Sequence, residues 1–255
     1  MAVILRPLTG GNITMIVYGH RGARGEAPEN TIAGCQHAVA RGVRHLEIDL
    51  HLSRDKQLVV VHDSTLRRTT GVAGKIADLT AAQLARLDAR QDGTPWPNKR
   101  GTGIPTLSKL MAAVPEIKSW QLELKPGKAR YNSQLADAVC EFLSTSNRGR
   151  IVTSSDAALV HQIKNRLPDL DTGLVSSFPD PQEILQQAGC NYLIAGWNSL
   201  TNSEQIKRLQ KQGIQISAWT VNDASAITNL HRMGVDSVIS DYPSMAMPLV
   251  AALER

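Results

Sequence analysis

His45-Leu46-Glu47-Ile48-Asp49-Leu50-His51-Leu52 alternates without a break, apolar at every even position and ionisable at every odd one. Successive side chains on a strand point to opposite faces, so one face of this segment packs and the other carries chemistry. On an edge strand the charged face would only meet water. In a parallel sheet covered by helices no side meets water, and Glu47 and Asp49 then point into the protein interior.

The surrounding chain favours the parallel sheet. Short apolar runs centre on Ile16-Val17, Leu46-Ile48, Leu122-Leu124, Ile151-Val152, Leu174-Val175, Leu193-Ile194, Ile214-Trp219 and Val238-Ile239. Helical patterns separate them over Thr31–Arg41, Leu107–Val114, Gln134–Leu143, Ala157–Leu167, Pro181–Ala188, Ser203–Gln212 and Ala224–Met233, and Ser244–Leu253 closes the series. This alternation predicts an α/β protein, a (β/α)8 TIM barrel, and 255 residues with 42% hydrophobic content suit one such domain over 1–255. A ninth run, Leu58–Val61, is separated from the second strand only by Ser53-Arg54-Asp55-Lys56-Gln57. A parallel crossover needs a dozen residues or more, so this run should return antiparallel as a hairpin arm. Residues 64–105, rich in Gly, Thr and Pro, are then an insertion before the helix at Leu107, expected to form a small cap subdomain over the barrel mouth.

A formal charge of +5 suits an anionic ligand, but the cations are scattered and form no arm for nucleic acid. Cys35, Cys140 and Cys190 are odd in number and far apart, which predicts buried spectator thiols rather than a disulfide framework. The apolar stretch Ala2–Leu5 is broken by Arg6-Pro7, too short for a signal-peptide core, and no segment approaches the roughly 20 apolar residues of a membrane span. The expectation is a soluble, cytoplasmic protein without membrane insertion; oligomeric state is left open.

Two neighbouring carboxylates inside a barrel repel each other and lose hydration unless a cation sits between them, so Glu47 and Asp49 read as metal ligands rather than as half of a structural salt bridge. Leu122-Glu123-Leu124-Lys125 repeats the pattern one barrel strand on and supplies Glu123, although a Glu123-Lys125 ion pair sealing the barrel is the plainer alternative. All-oxygen ligation favours Mg2+ or Ca2+. His20-Arg21-Gly22 ends the first strand, at the barrel face that carries catalytic groups, and His62-Asp63 ends the hairpin arm at the same mouth. Two histidines above three carboxylates suit acid-base work on a phosphate ester, with Arg21 holding charge on the phosphoryl oxygens and Gly22 and Gly25 letting the backbone approach. His37, His161 and His231 read as surface or capping groups, and Asn30 or Thr31 as the cap of the first helix. His45 reads as packing, and His51 as a candidate support for the site. Trp219 is either core or a contact for the alcohol part of a substrate.

Taken in order, His20-Arg21-Gly22, Ala27-Pro28-Glu29-Asn30-Thr31, Glu47-Ile48-Asp49, His62-Asp63, Leu122-Glu123-Leu124-Lys125, Trp219-Thr220-Val221-Asn222 and Ser240-Asp241-Tyr242-Pro243 resemble the glycerophosphodiester phosphodiesterases, barrel enzymes related to phosphatidylinositol phospholipase C. The resemblance implies hydrolysis of glycerophosphodiesters to sn-glycerol 3-phosphate and an alcohol. It implies Glu47, Asp49 and Glu123 as metal ligands, His20 and His62 as the acid-base pair, and Arg21 and Lys125 as phosphate contacts. A phospholipase on intact lipid would share this site and add an exposed aromatic rim, whereas residues 64–105 hold only Trp96. A silent binding barrel would lack a histidine or a ligand, and this chain keeps all five. Head group, Mg2+ against Ca2+, which histidine is the acid, and direct water attack against a cyclic phosphate are left open.

Overall fold

Eight parallel strands close on themselves because the first, β1 (Ile16–His20), pairs with both the last and the second. The others are β2 (His45–Leu52), β4 (Ser119–Leu124), β5 (Arg150–Ser154), β6 (Asp171–Ser176), β7 (Tyr192–Gly196), β8 (Gln215–Trp219) and β9 (Ser237–Ser240), with β3 (Leu58–Val60) lying outside the ring. The helices are α1 (Ile32–Ala40), α2 (Arg67–Thr70), α3 (Ala81–Leu84), α4 (Leu107–Ala113), α5 (Ala129–Leu143), α6 (Ala157–Arg166), α7 (Gln182–Ala188), α8 (Ser203–Gln210), α9 (Ala224–Met233) and α10 (Pro243–Leu253). The computed structural model describes residues 14–145, 147–177 and 181–255, so the stretch Ala2–Leu5 lies outside it. No helix among the described residues is long and apolar enough to cross a membrane.

The alternation in β2 sets the layering. Leu46, Ile48 and Leu50, all 0% exposed, pack outward with Leu122 and Leu124 of β4 against α1, α4 and α5, and each such fully buried side chain contributes about 1.5–3 kcal/mol. The odd residues turn inward, Glu47 and Asp49 above a plug of Tyr18, Ile151, Ile194 and Ile239 inside the barrel and His45 beside Tyr18. β3 is antiparallel to β2, with Leu50 opposite Val60 and Leu52 opposite Leu58, as the short connection requires.

Helix starts follow their caps. Thr31 accepts from the Gly34 amide, and Asp156, Asn202 and Asp223 do the same for α6, α8 and α9. Asn30 caps nothing. The start of α5 also departs from expectation: it begins at Ala129, not Gln134, because Tyr131 in the added turn accepts from the Leu52 amide (3.1 Å) and bonds His51 Nδ1 (2.9 Å). A polar stretch without apolar period is helical here through that docking.

Within residues 64–105, Leu66, Ile76, Ala81, Leu84, Ala89 and Ile104 form an apolar cluster that includes Val59 and Val61 of the hairpin arm. The segment returns to the barrel through Thr94 Oγ1 donating to the Gly25 carbonyl (2.6 Å) and the Ala33 amide donating to Gly101 (3.0 Å). It shares its core with the arm instead of standing apart.

Candidate active site

Glu47, Asp49 and Glu123 come from adjacent strands whose register sets Asp49 beside Glu123 and Glu47 beside Gln121. Each offers one carboxylate oxygen, all within 4.8 Å of one another, while Glu47 and Asp49 are 3% and 1% exposed. Glu47 Oε1 is buried with no hydrogen-bond partner. Burial pushes the Glu47 carboxyl well above the ordinary carboxylate range, and repulsion from Asp49 and Glu123 adds to it. A buried, unpartnered oxygen beside two other carboxylates is the donor set of a hard cation, so the residues fit a divalent metal.

Two cations lean on the same cluster. Lys125 Nζ is 2.8 Å from Asp49 Oδ1 and 2.5 Å from Glu123 Oε1, and Arg21 Nε is 3.1 Å from Asp49 Oδ2. Burial opposes ionisation of Asp49, but Lys125 and Arg21 outweigh it and hold the carboxyl below its ordinary range. The Glu123-Lys125 ion pair weighed as the plainer reading is therefore present, inside the carboxylate cluster rather than instead of it.

Each of the two histidines is held by an aspartate. His20 Nδ1 lies 2.5 Å from Asp241 Oδ1, leaving Nε2 3.8 Å from Glu47 Oε2. His62 Nδ1 lies 2.7 Å from Asp63 Oδ1. Arg68 draws the Asp63 carboxyl down to about 2 against some opposition from burial, with His62 adding to the effect. Both aspartates are thus acceptors, which makes Nδ1 the donor and frees Nε2 in each ring. His51 Nε2 is 3.0 Å from the His62 carbonyl oxygen, so His51 bonds the backbone of the arm that carries His62.

Trp219 is half-buried, donates from Nε1 to the Ile194 carbonyl (3.2 Å), and lines the floor of the mouth with His20, Glu47 and Glu123. His45 packs low against Tyr18 and bonds Ser119 Oγ (2.7 Å). His37 bonds Glu26 (2.8 Å) and meets Trp96 edge-on. The two glycines serve packing: a Cβ on Gly22, at φ +92°, would sit 3.0 Å from the α1 backbone at Gly34, and one on Gly25 would enter the Tyr242 ring at 2.4 Å. Cys35, Cys140 and Cys190 are free and buried.

Several contacts are not predicted by the sequence pattern. Asn30, in the left-handed region at φ 55°, donates from Nδ2 to Asp49 Oδ2 (2.7 Å) and accepts the Asp49 amide at Oδ1 (3.3 Å). Glu29, buried, receives Arg21 Nη1 (3.0 Å) and Arg24 Nε (3.0 Å). Asn222 donates to Asp241 Oδ2 (2.7 Å). Trp197 and Tyr242, 43% and 42% exposed, follow β7 and β9 at the mouth end of the barrel, outside the insertion.

The glycerophosphoryl diester phosphodiesterase family model matches residues 20–245. The chain belongs to that family. The Bacillus subtilis (strain 168) protein YhdW is 32% identical over 238 residues, covering 90% of this chain and 95% of YhdW. The lysophospholipase D GDPD1 of Mus musculus is 28% identical over 266 residues, covering 88% of this chain and 82% of the mouse protein. An Oleispira antarctica phosphodiesterase, solved in complex with the product sn-glycerol-3-phosphate, superposes with a TM-score of 0.81 at 29% identity, over 92% of this chain and 96% of that one. The TIM barrel and the glycerophosphodiester phosphodiesterase activity go with family membership.

Proposed function

We propose that this phosphodiesterase releases sn-glycerol 3-phosphate from small glycerophosphodiesters with a divalent metal and a histidine acid-base pair. The observation that carries the reading is the pair of imidazoles, each with Nδ1 fixed by an aspartate, beside one carboxylate cluster. Glu47, Asp49 and Glu123 would hold Mg2+ or Ca2+, which when bound neutralises charge on the phosphoryl oxygens. Arg21 and Lys125 contact the phosphate and orient it. One histidine takes the proton of the attacking hydroxyl at Nε2, and the other gives a proton from Nε2 to the leaving alkoxide, each worth roughly 10²–10⁴ in rate. Trp219 lies against the alcohol part of the diester. The segment 64–105 acts as the cap of a single domain, and the three buried thiols suit the cytoplasm.

The test measures release of glycerol 3-phosphate from glycerophosphocholine in Mg2+, in Ca2+ and in excess EDTA, for wild type, His20→Ala and His62→Ala. Full turnover in EDTA would overturn the metal, and wild-type turnover in either alanine variant would remove that histidine from the chemistry. The exposed Trp197 and Tyr242 favour a second reading, action on single-chain lysophospholipids, and a lysophosphatidylcholine arm of the same assay decides between them.

A further inference from the structure

Arg68, on α2 inside the insertion, places its three guanidinium nitrogens on three carboxylates. Nη1 and Nη2 each lie 2.8 Å from an oxygen of Glu29, Nε lies 2.8 Å and Nη2 3.1 Å from the two oxygens of Asp63, and Nη1 lies 2.6 Å from Asp92. Its neighbour Arg67 is exposed. Two of those carboxylates lead directly to the site. Asp63 holds His62 Nδ1, and Glu29 holds Arg21 Nη1. One side chain thus reaches the imidazole on one arm and the arginine on the other, and paired forks of this kind fix direction as well as distance.

We propose that Arg68 is a positioning residue for the reaction: through Asp63 it sets the ring of His62, and through Glu29 the guanidinium of Arg21. The proposal rests on the roles given above to His62 and Arg21. It makes the insertion a working part of the site, since removal of the segment removes the group that aligns two residues outside it. A side chain that only tied the insertion down would have no reason to share its bonds between these two carboxylates.

Lysine keeps the charge of Arg68 but cannot form two forks, so Arg68→Lys is the informative variant and Arg68→Ala its companion. On glycerophosphocholine with saturating metal, both should lower kcat by about 10–100-fold, the usual effect of losing a group that orients a site residue, and raise KM. Asp63→Asn should reproduce the loss in kcat and Glu29→Gln the rise in KM. Adding Asp63→Asn to Arg68→Lys should change kcat by less than about 3-fold further, because the two act in series. The 15N spectrum of the His62 ring should show a single Nδ1–H tautomer in wild type and a mixture in Arg68→Lys. Metal affinity should stay within a few-fold of wild type. Wild-type kcat and KM in Arg68→Lys, or effects of Arg68→Lys and Asp63→Asn that multiply in full, would overturn the proposal, and so would an Arg68→Ala variant that unfolds while Arg68→Lys is kinetically normal. Should His62→Ala keep wild-type turnover, the acid-base reading falls, while the ring spectrum still decides whether Arg68 sets His62.

Discussion

Asp241 Oδ1 sits 2.5 Å from His20 Nδ1, and its second oxygen is taken by Asn222. Burial alone would raise the Asp241 carboxyl, but the bond to His20 outweighs it and holds the group below its ordinary range. Asp241→Asn keeps the shape and replaces the acceptor with a donor, so the imidazole is expected to adopt the other tautomer. Turnover should fall by about 10²–10⁴ with metal affinity intact, as for other aspartate-oriented histidines. Steady-state kinetics with metal titration check this, and an unchanged kcat would mean that Asp241 does not govern the tautomer.

Glu47 is the costly member of the site. Its buried carboxylate, opposed by Asp49 and Glu123, destabilises the metal-free fold. Glu47→Gln should therefore raise the melting temperature in EDTA by about 2–4 °C, the shift that about 1 kcal/mol gives in a chain of this size. The further stabilisation that added metal gives wild type should vanish. Thermal melts with and without metal read both, and a variant less stable than wild type in EDTA contradicts the argument.

Asn30 does two jobs that separate genetically. Asn30→Ala loses the left-handed backbone preference and the bonds to Asp49, and about 2–4 kcal/mol of stability should go with them. Asn30→Gly should recover about 1 kcal/mol of that by accepting the backbone angle. It should not recover metal affinity, because Asp49 stays untethered. Equal metal affinity in Asn30→Gly and wild type would show the side chain to be incidental to the site.

Acid should loosen the link between barrel and insertion. Burial pushes Glu29 up, but Arg68 and Arg21 outweigh it and bring the group from the ordinary 4.5 down to about 2. Its contribution is complete above pH 4.5 and is lost as pH falls towards 2, a change of at most about 3 kcal/mol. Asp63, also lowered to about 2, moves the same way. Denaturant midpoints across that range should fall steeply for wild type and less steeply for Arg68→Ala. Parallel slopes would exclude the Arg68 bonds as the cause.

Deleting 64–105 and joining Asp63 to Thr106 should not leave an intact site. Val59 and Val61 would lose their apolar partners, and Glu29 and Asp63 would lose Arg68. A cooperative melt at lower temperature with turnover reduced at least about 10-fold is expected, and circular dichroism with kinetics reads both. Undiminished turnover would show that the segment aligns nothing.

The barrel and the carboxylate cluster were legible because period and chemistry coincide: in β2 the packing residues and the charged residues occupy alternate positions, so one count yields both the fold and the inward carboxylates. The contacts of Arg68, Glu29 and Asn30 were not legible, because neither a strand nor a helix period says which partner a polar side chain meets: Glu29 joins Arg21, eight residues back, to Arg68, thirty-nine residues on, and Asn30 reaches Asp49. Asn30 is a favourable cap by type, yet Thr31 takes that role and leaves Asn30 to turn back to Asp49. The early turn of α5 was hidden for the same reason, since Tyr131 is helical on account of Leu52 and His51.

β1 and β2 meet through a short register, Gly19 with Leu46 and His20 with Glu47. The Arg21 amide to Glu47, Arg21 to Asp49 and Asn30 to Asp49 continue the join beyond it. The closing seam of the barrel and the proposed reaction centre are thus one set of bonds. A slight parting of this seam, far short of unfolding, would already separate His20 from Glu47, so loss of turnover should precede loss of structure under gentle heating.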